Sequence, residues 1–231
     1  MKDFRFKQFS IQQSKEVFRV GTDGVLLGAL AQNTINGRCL EVGTGTGLIS
    51  LMIAQRNPLI TILALDINED AVNLSGSNFR QSPFADRLKS QLEDYTQFQS
   101  EENFDFIFSN PPYFEQNDSS KDILARQKVM LDFEDLISKS ALLLKDCGVF
   151  SVIIPSDDAE EFTKIAEQNK LHLIRKIDIY GIEGGSLKRT ILEYSKEKKQ
   201  LEIVDFVIEK SPRQYSDQYL ELTKEFHIFK N

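Results

Sequence analysis

The sequence predicts an α/β fold of Rossmann-like type: a mostly parallel, seven-stranded sheet with helices on both faces and an antiparallel hairpin near the carboxyl end. Three observations carry this. Short continuous apolar runs alternate with amphipathic stretches of helical length from Arg38 to Asn169. The first run ends in a glycine cluster, Gly43-Thr44-Gly45-Thr46-Gly47, that opens onto a helical pattern. Two alternating apolar segments, His172 to Tyr180 and Arg189 to Tyr194, flank Gly181-Ile182-Glu183-Gly184-Gly185, as in a long hairpin.

Taken in order, Thr22-Asp23 stands before Val25-Leu26-Leu27 as a capping pair, so a short helix is expected from about Asp23. Arg38 to Val42 is a buried strand and Leu48 to Arg56 its helix. Thr61 to Leu65, closed by Asp66, and Glu69 to Arg80 repeat the unit. Strands follow at Leu88 to Leu92, Phe104 to Ser109 and Val149 to Ile154, with a helix from Asp132 to Lys145. A further helix is expected from Asp157, which has capping-box spacing to Glu160, as far as Asn169. Leu201 to Glu209 reads as another possible strand, and Tyr215 to Phe226 as helical. With no fixed-period repeat, low-complexity tract or proline-rich linker, residues 1–231 are expected to form one domain: an extension over 1–36, then a core over 37–231 with the hairpin and tail.

Composition narrows the class. At 41% hydrophobic and 27% charged residues the chain is an ordinary globular protein, which excludes a disordered or fibrous one. No apolar run approaches the length of a membrane span, and the start, MKDFRFKQFS, lacks a signal-peptide core, so a cytoplasmic protein with no membrane partner is expected. Cys39, Cys147, His172 and His227 do not make a four-ligand spacing, so neither a disulfide nor a metal is expected.

A net charge of −7 opposes binding of nucleic acid by bulk electrostatics. The average conceals a local exception. The first 20 residues hold five basic against two acidic groups, net +3, which leaves −10 for the other 211. Phe4, Phe6, Phe9 and Phe18 are interleaved there, as in segments that meet phosphates with cations and bases with rings. Composition alone favours the other reading, a solvated arm whose phenylalanines tuck into the core.

The glycine cluster follows the first strand, where an open α/β sheet binds its ligand. A dinucleotide fingerprint needs glycine at 43, 45 and 48, but position 48 is Leu and the third glycine is Gly47. Asp66, at the end of the second strand, is placed to accept hydrogen bonds from ribose hydroxyls, and alone it does not choose between nucleotide cofactors. Asp94 follows the third strand. Asn110-Pro111-Pro112-Tyr113 ends the fourth. Its prolines fix φ and remove two backbone donors. The Asn110 side-chain oxygen and the Pro111 carbonyl can then accept both hydrogens of a planar amine, while Tyr113 stacks on the flat system that bears it. Two such bonds localise the nitrogen lone pair, so a weakly nucleophilic adenine amine or glutamine amide can attack with no strong base.

With Glu41 ahead of it, the Gly-x-Gly-x-Gly turn resembles motif I of the class I S-adenosylmethionine-dependent methyltransferases. Phe6-Lys7-Gln8-Phe9, Val20-Gly21-Thr22-Asp23-Gly24-Val25-Leu26-Leu27 and Asn110 to Phe114 narrow the resemblance to the bacterial tRNA(1)-valine adenine-37 N6-methyltransferase family, over nearly the whole chain. The resemblance implies S-adenosyl-L-methionine as cofactor, held by Glu41, Gly43, Gly45, Gly47, Asp66, Ile67, Asp94 and Asn110, with Thr22 and Asp23 closing over it. It implies Asn110, Pro111, Pro112 and Tyr113 as the catalytic group, with adenine N6 in tRNA as acceptor. Arg5, Lys7, Arg126, Lys188 and Arg189 are candidates for RNA phosphates, each also readable as an ordinary surface charge. A monomer is expected. The alternatives are N5 methylation of a release-factor glutamine, methylation of DNA adenine or rRNA guanine, and a module that binds the cofactor without chemistry. Release-factor enzymes usually carry a helical recognition domain before motif I, and only about forty residues precede it here.

Overall fold

The computed structural model describes residues 2–17, 19–32, 36–112 and 132–228. Two short strands, β1 (Phe4–Arg5) and β2 (Ser10–Ile11), pair antiparallel at the start of the chain. The helix α1 (Thr22–Leu30) follows. Its cap is the extended Gly21, and no side chain caps it. Thr22 and Asp23 lie inside the first turn instead of ahead of it, and Asp23 forms an ion pair with Arg189.

The repeating units come next: β3 (Gly37–Val42), α2 (Leu48–Arg56), β4 (Ile60–Asp66), α3 (Glu69–Arg80), β5 (Leu88–Leu92) and β6 (Phe104–Ser109). The fully buried Phe104, Phe106, Ile107 and Phe108 show why β6 reads as a continuous apolar run, since both faces of a central parallel strand meet helices. After α4 (Phe133–Leu143) the strand β7 (Leu144–Pro155) begins earlier than the expected Val149. Leu144 ends the helix because it is fully buried and pairs with Phe104.

A 3-10 turn at Ser156–Asp158 leads into α5 (Ala159–Gln168). The expected capping box at Asp157 does not form. Capping needs an extended residue ahead of the helix, and the chain is already helical at Asp158, with φ −88° and ψ −10°. The hairpin strands β8 (His172–Ile182) and β9 (Leu187–Ser195), the strands β10 (Glu202–Ser211) and β11 (Gln214–Tyr215), and α6 (Asp217–Thr223) complete the chain.

All seven expected strands lie in one sheet in the order β5-β4-β3-β6-β7-β9-β8, and β10 and β11 extend it to nine. β10 joins β8 in parallel, whereas β9 runs antiparallel to both β7 and β8. Two apolar layers hold it. On one face α1, α2, Phe79 of α3 and Tyr219 of α6 pack on Cys39, Phe106, Ile153 and Ile177. On the other, α4 and α5 bring Leu136, Ile137 and Phe162 against Leu40, Ile107 and Tyr194. The phenylalanines of the arm belong to the first layer: Phe6 and Phe9 are buried and stack at 4.7 Å, and Phe4 packs beside them. No helix among the described residues is long and apolar enough to cross a membrane.

Candidate active site

Register sets the site. Val42 of β3 lies opposite Leu65 of β4 and opposite Ser109 of β6, while Asp66 of β4 lies opposite Leu92 of β5. The carboxyl ends of four parallel strands are therefore level, with Asp94, Asp66, Gly43 and Asn110 succeeding one another along a single edge. Adjacent strands stand about 4.8 Å apart. Ser109 Oγ donates to the Val42 carbonyl at 2.8 Å, which ties the end of β6 to the end of β3.

The glycine loop leans from β3 over β4. The Gly43 and Thr44 amides both donate to the Leu65 carbonyl, at 2.9 and 3.0 Å, and the Gly45 amide donates to Asp66 Oδ2 at 2.9 Å. Gly43 has φ +76°, and a Cβ placed there would meet nothing within 4 Å among the described residues. Asp66 Oδ1 accepts from the Asn68 amide at 3.0 Å, and Asn68 in turn caps α3 by accepting from the Asp70 amide. The Asp66 carboxylate is thus fixed from two sides. Its neighbour Ile67 is 54% exposed, an uncovered aliphatic surface beside it. Asp94 Oδ1 holds its own turn by accepting from the amide and hydroxyl of Thr96 at 2.9 and 2.8 Å.

Glu41 lies under the loop, fully buried. Its Oε2 accepts from Thr44 Oγ1 at 2.7 Å and from Ser50 Oγ, and its Oε1 is buried with no hydrogen-bond partner among the described residues. Burial, with a smaller contribution from the Asp66 charge, raises its pKa to about 8 against the lowering effect of the two hydroxyls. Ser50 was not legible as a partner, because a small polar residue in the run Leu48 to Ala54 reads as a tolerated helix position. Asn78 of α3, which donates to the Thr46 carbonyl at 2.9 Å, was missed likewise.

Asn110 carries the feature most suggestive of chemistry: its Oδ1 is buried and has no partner among the described residues. A buried acceptor left unpaired is costly, and a donor from a bound ligand would recover that cost. Pro111 beside it is buried and Pro112 exposed. Tyr113 and Arg126 lie outside the described residues.

The basic candidates divide into two groups. Lys188 and Arg189 sit at the edge of the sheet that carries Gly43, Asp66 and Asn110, since Arg189 of β9 pairs with Pro155 at the carboxyl end of β7. Lys188 is exposed, whereas Arg189 is half-buried and bound to Asp23 at 2.9 Å. Arg5 and Lys7 are exposed at the other end of the sheet. The Lys7 amide donates to the Phe226 carbonyl, and Gln55, at the far end of α2, donates to the carbonyl of Glu225. That end is about one nine-residue helix, roughly 13 Å, from the glycine loop.

The fold is that of class I methyltransferases. Residues 11–166 match the family model described as the methyltransferase small domain. A predicted O-methyltransferase from Agrobacterium tumefaciens superposes with a TM-score of 0.70 at 16% identity, over 88% of this chain and 96% of that one. Geranyl diphosphate C-methyltransferase from Streptomyces coelicolor A3(2), solved with S-adenosyl-L-homocysteine among its ligands, superposes at 0.54 and 14% identity over 76% and 78%. The tRNA1(Val) (adenine(37)-N6)-methyltransferase of Flavobacteriaceae bacterium strain 3519-10 is 52% identical over 99% of this chain and 100% of its own length. The chain belongs to the tRNA1(Val) (adenine(37)-N6)-methyltransferase family.

Proposed function

We propose that this protein transfers a methyl group from S-adenosyl-L-methionine to the exocyclic N6 of adenine 37 in the anticodon loop of tRNA1(Val). The observation that carries the chemistry is Asn110 Oδ1, a buried acceptor with no partner among the described residues, at the carboxyl end of β6 and level with the glycine loop. The 52% identity to a named relative supports the choice of tRNA.

The edge fits the cofactor. Open space beside Gly43 admits a bound molecule against the backbone, and a carboxylate offers about four acceptor sites, so Asp66, with one amide on each oxygen, retains capacity for ribose hydroxyls. Ile67 gives an apolar face for a flat ring, and Asp94 stands at the next strand end. Thr22 and Asp23, at the start of α1, close the site from the arm side. Bound there, S-adenosyl-L-methionine supplies an electrophilic methyl group on a sulfonium.

The protein's own contribution is orientation. Asn110 Oδ1 and the Pro111 carbonyl accept hydrogen bonds from the two N6 hydrogens, which aims the lone pair and favours the pyramidal nitrogen of the transition state, and the proton made surplus by methylation is released to water. Pro112 stiffens the turn, and Tyr113 supplies the stacking ring. The target base has to leave the anticodon-loop stack to reach that corner. Lys188 on the near side, with Arg5, Lys7 and Arg126, supplies the cations for phosphates, whereas Arg189 is held by Asp23, and these local cations reconcile RNA binding with a net charge of −7.

The test is methyl transfer from labelled S-adenosyl-L-methionine to unmodified bulk bacterial tRNA, with DNA and a release factor in parallel, followed by nucleoside mass analysis. N6-methyladenosine in tRNA alone is expected. Label on release factor or DNA alone would keep amine methylation and overturn the substrate. No label despite cofactor binding would leave a binding module.

A further inference from the structure

One side chain connects the amino-terminal arm to the glycine loop. Asn78 of α3 is 1% exposed, and its whole amide is engaged. Oδ1 accepts from the Gln12 amide at 2.8 Å, and Nδ2 donates to the Gln12 carbonyl at 3.2 Å and to the Thr46 carbonyl at 2.9 Å. Asn78 therefore pairs with Gln12 as a neighbouring strand would. Its second hydrogen holds the residue between Gly45 and Gly47.

Other contacts run the same way. Ser77 Oγ donates to Gln12 Oε1 at 3.2 Å. Five residues beyond Gln12, Val17 is buried, with Cγ1 3.9 Å from the position a Cβ on Gly45 would take. α3 presses on the loop from below, for a Cβ on Gly47 would lie 2.5 Å from Phe79. Beyond the loop, the Val20 amide donates to Gln13 Oε1 at 3.3 Å, just before α1. The arm thus runs from the exposed Arg5 and Lys7, past Asn78, over the glycine loop and into Thr22 and Asp23.

We propose that Asn78 is a positioning residue that joins the arm to the glycine loop, so that ordering either one orders the other. The inference rests on the reading that this loop holds S-adenosyl-L-methionine. The reason is the cost of a half-made network: if the loop shifts, Asn78 loses Thr46, and a buried amide that rotates to recover it gives up Gln12. Linkage is reciprocal, so an arm held by RNA at Arg5 and Lys7 tightens the cofactor site to the same degree that the cofactor orders the arm.

Hydrogen exchange by mass spectrometry on the full chain, without and with saturating S-adenosyl-L-homocysteine, tests this. In the wild type the ligand slows exchange in both the loop and residues 12–17, the latter by about tenfold or more. In Asn78→Asp, which keeps shape but sets a carboxylate oxygen against two carbonyls, the loop still gains protection and the arm does not. Gln12→Pro weakens the same link from the arm side by deleting the amide donor to Oδ1 while its carbonyl still accepts from Nδ2, and it leaves the packing of α3 intact, so a reduced gain in protection over residues 13–17 is expected there should Asn78→Asp fail to fold. Ligand-induced arm protection that persists undiminished in a folded variant overturns the linkage. So does a wild-type arm indifferent to a ligand that protects the loop. Failure of the wild type to bind S-adenosyl-L-homocysteine by calorimetry overturns the cofactor reading itself, and this one with it.

Discussion

Arg189 Nε donates to Asp23 Oδ2 at 2.9 Å, and this pair joins the hairpin strand β9 to the first turn of α1 across the top of the sheet. Both side chains are about one-fifth exposed, so the pair is less screened than a surface ion pair. The guanidinium also lies close enough to Asp158 to oppose the upward pull of burial and of Asp157 and Glu161 on that carboxyl. Its geometry is that of a strut for α1.

Arg189→Ala is therefore expected to weaken S-adenosyl-L-homocysteine binding about five- to tenfold, near 1 kcal/mol. Asp23→Asn should cost a similar amount, and the double variant little more than either alone. Calorimetry on the four proteins measures this. Were Arg189 chiefly a phosphate ligand, Arg189→Ala would leave cofactor affinity unchanged and flatten the salt dependence of tRNA binding.

Asn110→Ala should leave cofactor affinity within about twofold and lower the transfer rate by about 10²- to 10³-fold, because the lost acceptor acts on the reacting amine. Single-turnover transfer alongside cofactor binding separates the two effects. Equal loss of both would assign Asn110 to the cofactor.

Much of this edge could be read in the sequence, for a physical reason. A parallel strand buried on both faces must be apolar throughout, so Phe104 to Ser109 announced both its own burial and the position of Asn110 at its end. Level strand ends then brought Gly43, Asp66, Asp94 and Asn110 together. The arm admitted two readings. Phe6 and Phe9 alternate with cations as nucleic-acid contacts would, but composition favoured rings tucked into the core, and the fold stacks them inside the first apolar layer. Asn78 gave no signal, since one asparagine in an amphipathic helix reads as surface until a partner 66 residues away in sequence buries it. Asp157 misled because its spacing to Glu160 is right while its backbone is not.

Glu41 makes stability depend on pH. Its folded pKa of about 8 lies above the ordinary 4.5, so between those values the folded protein retains a proton that the unfolded chain has released. The stabilisation is fully present below about pH 4.5 and is lost as pH rises through 8, at up to about 1.4 kcal/mol per unit. Urea unfolding between pH 5 and 8.5 should show that slope in the wild type and a shallower one in Glu41→Gln, which keeps the shape without the proton. Parallel slopes in the two proteins would mean that Glu41 is ionised throughout.

Two glycines of the loop should fail in different ways when changed to alanine. Both have positive φ, +76° at Gly43 and +81° at Gly47, so both alanines carry about 1–2 kcal/mol of backbone strain. At Gly47 the new methyl would lie 2.5 Å from Phe79 Cε1 and 3.2 Å from Ser75 Cβ, inside packed core, which adds about 1–3 kcal/mol of overpacking. At Gly43 it meets nothing within 4 Å among the described residues and projects into the space assigned to the cofactor. Gly47→Ala is thus expected to lower the melting temperature more than Gly43→Ala. Gly43→Ala should remain folded and lose at least about tenfold in S-adenosyl-L-homocysteine affinity, because the backbone no longer admits close approach. If Gly43→Ala binds the ligand as the wild type does, the cofactor does not lie against Gly43, and its place along this edge has to be sought nearer Asp94.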